Sequence, residues 1–165
     1  METTRHFTAT TYVVNDGATA LHEHDRLGIH LPPGGHIERD ELPHEAALRE
    51  VREETGLEAE LVADRADVET PNGRPLPEPA HQMLHDIDVH PDGSVSHQHI
   101  DHLFYARVPT RRIDPVGDDE ADAEAWSWYT PEELRESEFD ADVIDLGREA
   151  IETVSDAKRS GDDAA

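Results

Sequence analysis

The sequence predicts an α+β domain, a mixed β-sheet sandwiched between helices, and three observations carry that expectation. Two pairs of β-branched, aromatic or alternating runs are each joined by a turn-forming segment, Asn15-Asp16-Gly17 in one and Pro91-Asp92-Gly93-Ser94 in the other. Between the pairs lies a helix-patterned stretch that ends at Gly56. A second amphipathic stretch closes the chain. With 165 residues, a single domain over residues 1–159 is long enough for a sizeable core, and residues 160–165 read as a frayed, disordered tail.

Taken in order, His6 to Asn15 reads as the first strand and Ala18 to His24 as its returning partner. Arg26 to Leu31 leads into Pro32-Pro33, which set an extended entry to Gly34 and Gly35. The first helix should begin at Pro43, a residue suited to the first helical position, although Leu42 before it is a poor cap. Gly56 supplies a left-handed stop, and Glu58 to Asp64 reads as a strand leaving the helix. Thr70 to Ala80, with four prolines and a glycine, is a loop. His81 to His90 and His97 to Val108 make the second hairpin, Asp114 to Ala123 an acidic loop, and Glu124 to Thr130 a short aromatic strand. Thr130-Pro131-Glu132-Glu133 places a cap, a proline and first-turn acids in helical order. From Asp140 to Arg159, Val143, Leu146, Ala150, Ile151 and Val154 form one stripe of a terminal helix.

The net charge is −25, and the basic residues are almost all arginine, with Lys158 the single lysine. An acid-rich, lysine-poor surface suits concentrated salt, where screening shortens self-repulsion to about 3 Å at 1 M. The expectation is a salt-adapted, halophilic protein of the cytoplasm. Such a surface disfavours duplex nucleic acid and anionic membranes. Zero cysteines exclude disulfides, thiolate metal sites and cysteine catalysis. No apolar run approaches 18 residues, and the first residues lead into a strand rather than a signal peptide.

The chemistry is concentrated between Gly35 and Leu57. On a helix each residue advances by about 100°, so Glu50, Glu53 and Glu54 share one sector, while Ala47, Leu48, Val51 and Thr55 share an apolar one. Like charges on one face repel, and a fold does not need them there. A divalent cation would remove that repulsion, and hard oxygen ligands without cysteine point to Mg²⁺ or Mn²⁺.

Gly35, Glu41, Arg49-Glu50-Val51, Glu53-Glu54 and Gly56-Leu57 match the spacing G-x5-E-x7-R-E-U-x-E-E-x-G-U, with U apolar. The chain therefore resembles the Nudix hydrolases, and its element order is similar to their α/β/α sandwich, a mixed sheet between helices. The resemblance implies hydrolysis of a diphosphate that joins a nucleoside to another group X, by water attack on a phosphorus. It implies that Glu50 and Glu54 are the main metal ligands, with Glu53 a further one and the Gly34 carbonyl an extra oxygen. Arg49 would orient a glutamate of the cluster. Glu41 would hold the loop against the helix through Arg49, and Gly35 and Gly56 would serve backbone shape. In some members of that family the base is the glutamate equivalent to Glu50, and in others it is an acid on a loop beyond this Gly35–Leu57 motif, the box. Here Asp118, Asp119, Glu120 and Glu124 are the loop candidates, with Glu120 preferred. The partner implied is a small nucleotide such as ADP-ribose, a nucleoside triphosphate or a nucleotide sugar, with a homodimer left open. The competing class is a silent nucleotide-sensing module, which would normally have lost one of the box glutamates. An isomerase on this scaffold would want a cysteine.

Two further features stand outside the box. His97, His99 and Asp101 alternate on one strand and so face one way, where with His85, Asp86 or Asp88 they could meet phosphate, a metal or a base. A hydrated polar face is the competing reading in a chain with 12 histidines. His36, after the glycines, is a further phosphate candidate. Trp126 and Trp128 share a strand face and read as core more than as a stacking platform.

Overall fold

The computed structural model describes residues 2–163. Its centre is the parallel pairing of β1 (Thr4–Asn15) with β7 (Val95–Arg107), which runs from Thr4 opposite His97 to Val14 opposite Arg107. The remaining pairings are antiparallel: β2 (Ala18–Glu23) and β4 (Gly34–His36) join β1, and β3 (His30–Leu31) and β8 (Trp126–Tyr129) join β2. β5 (Glu60–Leu61) and β6 (His81–Val89) join β7. The sheet is mixed, as expected, because the chain between β1 and β7 makes a long crossover that carries α1 (Pro43–Thr55).

Strand alternation divides the core into two layers. Tyr12, Val14, Leu103 and Tyr105 face α3 (Ala141–Asp163), meeting Val143, Ala150, Ile151 and Val154, with Leu134 of α2 (Pro131–Glu136) alongside. Ala9, Val13 and Phe104 face the other way, against Ala46, Ala47 and Val51 of α1. Small residues on that helix let it lie close to the strands. Helices therefore cover both faces, which is the predicted sandwich.

Several boundaries differ from the sequence reading. On α1 the buried residue beside Ala47 is Ala46, and Leu48 is only half-buried. No side chain caps the Leu42 end; the Glu45 carboxylate instead accepts the Leu42 N–H at 2.9 Å. Of the strand expected over residues 58–64, only Glu60 and Leu61 pair regularly, because β7 stops at Arg107 and β6 takes the same edge of it from Leu103 onward. Residues 123–125 form a 3-10 turn, which shortens the aromatic strand. α3 continues past Arg159 to Asp163, where a frayed tail was expected, and residues 164–165 lie outside those described. Thr130 does cap α2, accepting the Glu133 N–H while Glu133 accepts that of Thr130.

Trp126 is 7% exposed and packs with Val51, Leu57 and Val108, so it is core. Trp128 is half-buried, donates to the Arg111 carbonyl at 3.1 Å, and carries the Arg111 guanidinium over its ring. No helix among the described residues is long and apolar enough to cross a membrane.

Candidate functional site

The site grows from the way α1 is fastened at both ends. Arg49, midway along it, reaches back to the loop before its start: its Nε and Nη2 donate to the two carboxylate oxygens of Glu41 at 2.7 and 3.0 Å. Nη2 also donates to the His36 carbonyl at 3.0 Å. The Glu41 carboxylate accepts the Glu38 N–H as well, and the Arg49 guanidinium holds it below the ordinary carboxylate range. From the same guanidinium, Nη1 donates to Glu50 at 2.8 Å and to Glu53 at 3.2 Å. One arginine thus ties loop, strand and two acids of the helix together.

At its far end, the N–H groups of Val116 and Gly117 donate to the Glu53 carbonyl, and that of Asp114 donates to the Thr55 carbonyl. These bonds use helix-terminal carbonyls that would otherwise lack partners. They also pin the acidic loop beside the box. Gly56 sits at φ 70° and donates to the Arg52 carbonyl, and a Cβ there would lie 2.1 Å from the Asp114 carbonyl oxygen. Gly35 is glycine for another reason: its φ is not left-handed, but a Cβ would lie 2.3 Å from a Glu50 carboxylate oxygen.

The loop brings Glu120 to the helix acids. Burial and the nearby charges of Glu50, Glu53 and Asp119 raise its carboxyl above the ordinary range. Glu54 is half-buried and accepts the Gly34 N–H at 3.2 Å. Burial, with Glu50 and Glu120 adding, pushes its carboxyl up to about 9. Gly34, Glu54, Asp119 and Glu120 share an open cleft of ≈ 460 Å³ with His22, His24 and Arg26. Asp118 and Glu124 are not among the residues lining it.

The donor set fits a hard divalent cation. Arg49 pairs with Glu50 and Glu53, while burial first and the neighbouring carboxylates second raise Glu54 and Glu120, and an ion among these oxygens would offset that crowding of negative charge. In their present arrangement the box acids do not close on one point, since Arg49 holds Glu50 and Glu53 while Glu54 turns to Gly34.

The strand residues lie elsewhere. Register places His99 beside His6, Asp101 beside Thr8 and His36 beside Thr8, on the sheet face opposite α1. His97, His99, Asp101 and His36 therefore do not line one cleft with the box acids. Asp101 is 4% exposed and accepts the Thr8 and Thr10 hydroxyls at 2.8 and 2.9 Å, which makes it a buried tie between β1 and β7. Burial and the neighbouring His36, His97 and His6 rings hold the His99 imidazole below its ordinary range. His85 pairs with His99, and Asp88 with His97, across the second hairpin. Sequence reasoning missed His22, His24 and Arg26, because nothing in their spacing separates them from other charged residues of the chain.

The sequence profile of the NUDIX domain matches residues 4–147. A crystal structure of a NUDIX-family hydrolase from Clostridium perfringens is 30% identical, covers 92% of this chain and 99% of its own, and superposes with a TM-score of 0.75. A NUDIX hydrolase from Nitrosomonas europaea is 18% identical over 94% of this chain and 91% of its own, with a TM-score of 0.55. A MutT protein from Bacillus halodurans, also 18% identical, covers 86% of this chain and 78% of its own at a TM-score of 0.57. These two show the shared fold. No curated protein matches the chain by sequence.

Proposed function

The chain belongs to the NUDIX hydrolase family, and from that premise we propose that it is a Mg²⁺- or Mn²⁺-dependent diphosphohydrolase acting on a nucleoside diphosphate joined to a second group X. The observation that carries this reading is the acidic set on α1 and the loop bonded to its end: Glu50 and Glu53 on Arg49, with Glu54 and Glu120 beside them lining an open cleft. When bound, the cation supplies charge neutralisation at the phosphate oxygens and makes a water more acidic. Glu50 and Glu54 would hold it, Glu53 would assist, and the Gly34 carbonyl lies on the strand beside them. Arg49 positions Glu50 and Glu53, and Glu41 keeps Arg49 in place. Glu120 takes the proton from the attacking water, because the loop bonded to the end of α1 sets its carboxylate in the cleft beside Glu54. Arg26, His22 and His24 line the cleft where the substrate would extend. ADP-ribose-like compounds are the first choice of substrate, given the acidic loop placed just before β8.

The direct test is incubation with Mg²⁺ or Mn²⁺ in high KCl and a panel of ADP-ribose, nucleoside triphosphates, nucleotide sugars and dinucleoside polyphosphates. Product masses should show a cleaved diphosphate for at least one class, and an inert panel under both metals refutes the enzyme reading. Glu120→Gln should lower kcat by about 10²- to 10⁴-fold and remove the acid limb of its pH profile, as expected for loss of a general base. An unchanged kcat moves that role to Glu50.

The same proposal includes salt adaptation and a cytoplasmic setting, supported by the net charge of −25. Raising KCl from about 0.1 to 1 M shortens the screening length from about 10 to 3 Å, so Tm should climb through that range. A Tm indifferent to salt defeats it.

A further inference from the structure

Beyond hydrolysis at the box, we propose a second metal site on the opposite sheet face, in which the imidazoles of His6, His36 and His99 hold a late first-row divalent ion such as Zn²⁺ or Co²⁺. The three residues come from three adjacent strands, β1, β4 and β7, and each offers a ring nitrogen within 4.8 Å of the other two. They are the one set of three His, Asp, Glu or Cys ligands that close among the described residues. The Nε2 atoms of His36 and His99 stand 3.3 Å apart. Two ligands of a tetrahedral ion with Zn–N bonds of about 2.0–2.1 Å lie about 3.3–3.4 Å apart, so this pair already has the spacing an ion needs.

The surroundings also favour a soft-to-borderline ion over a hard one. Every ring in the group is imidazole, which suits Zn²⁺, Co²⁺ and Ni²⁺, whereas Mg²⁺ prefers oxygen. Asp101, two residues beyond His99 on the same face of β7, is occupied by the Thr8 and Thr10 hydroxyls and stays out of the ligand set. Those bonds also lock β1 to β7 two residues beyond His6 and His99, which fixes the strands that present the rings. His97 adds a fourth ring 4.6 Å from His6, and the Thr4 hydroxyl 2.9 Å from its Nδ1 orients that ring. His6 and His36 are exposed, so the fourth coordination position is open to solvent or to His97. The ion would staple the starts of β1 and β7 to β4, on the part of the sheet that α3 does not cover.

This inference does not rest on the hydrolytic reading, and its test separates the two. The protein, held in excess Mg²⁺ so that oxygen sites are filled, is titrated with Co²⁺ and followed by visible absorption. Tetrahedral, nitrogen-ligated Co²⁺ absorbs far more strongly than Co²⁺ in octahedral oxygen sites. We expect strong bands that saturate at one equivalent and a Zn²⁺-dependent rise in Tm. His99→Ala and His36→Ala should each weaken Co²⁺ binding by on the order of 100-fold or more, the upper end of what supporting residues alone are worth. His90→Ala, a histidine at the exposed hairpin end, should leave it unchanged. Glu54→Gln should keep the bands; their loss in that variant would assign the ion to the box. Absent bands, or bands equal in all the histidine variants, overturn the proposal.

Discussion

Glu54→Gln should reduce metal-dependent turnover on the order of 10²- to 10³-fold or more and, in metal-free buffer, should stabilise the protein at alkaline pH. The first effect follows from losing an ionised oxygen of the cation site. Lewis-acid stabilisation is worth several kcal/mol, and each 1.36 kcal/mol is tenfold in rate. The second follows from the position of the side chain. Burial and the charges of Glu50 and Glu120 raise the Glu54 carboxyl to about 9. An acid whose folded pKa is raised keeps its proton in the native state where the unfolded chain has lost it. Its contribution to stability therefore falls as pH rises from about 4.5 towards about 9, and glutamine abolishes that slope. Denaturation in EDTA at a series of pH values, run on both proteins, isolates the difference. Turnover at the wild-type level would remove Glu54 from the metal set. Equal pH slopes would show that burial and its acidic neighbours do not raise its carboxyl. The neutral isostere keeps an acceptor for the Gly34 N–H, so the fold should persist.

Gly56→Ala should cost about 2–4 kcal/mol of stability and depress activity as well. A non-glycine residue at φ 70° bears about 1–2 kcal/mol of left-handed strain. The added Cβ would also lie 2.1 Å from the Asp114 carbonyl oxygen, a contact that only backbone movement relieves. For a chain of this size, 1 kcal/mol shifts Tm by about 2–4 °C, so a loss of several degrees is expected. The loop that must move is the one bonded through Asp114, Val116 and Gly117 to the end of α1, and it carries Glu120. Activity should accordingly fall further than the folded fraction at the assay temperature explains. A variant with wild-type Tm would mean that the loop is free to shift. One with lowered Tm but full activity per folded molecule would detach Glu120 from the chemistry.

Much of the box was legible because its logic is local. Glu50, Glu53 and Glu54 share a helix, and helical periodicity alone places them in one sector. Pro43 and Gly56 mark the ends of that helix through their own backbone preferences. The role of Gly35 was less legible: backbone shape was expected, whereas the constraint is contact with a Glu50 oxygen that only the folded pairing of β4 with α1 creates. The choice of Glu120 and Asp119 over Asp118 and Glu124 at the cleft likewise depends on how the loop is bonded to α1, and these four candidates look alike in composition.

The strand histidines draw the same line more sharply. Alternation in sequence determined that His97, His99 and Asp101 share a face, and it determined the acidic sector of α1, since both are properties of a single element's period. Which side of the sheet the histidines occupy was decided by tertiary structure alone. The parallel register of β1 with β7 sets them opposite α1 and beside His6 and His36, residues 63 or more positions away from His99 along the chain. Long-range pairing of that kind rests on core burial at Tyr12, Val14, Leu103 and Phe104, where a slip of one residue would turn every side chain over to the wrong layer.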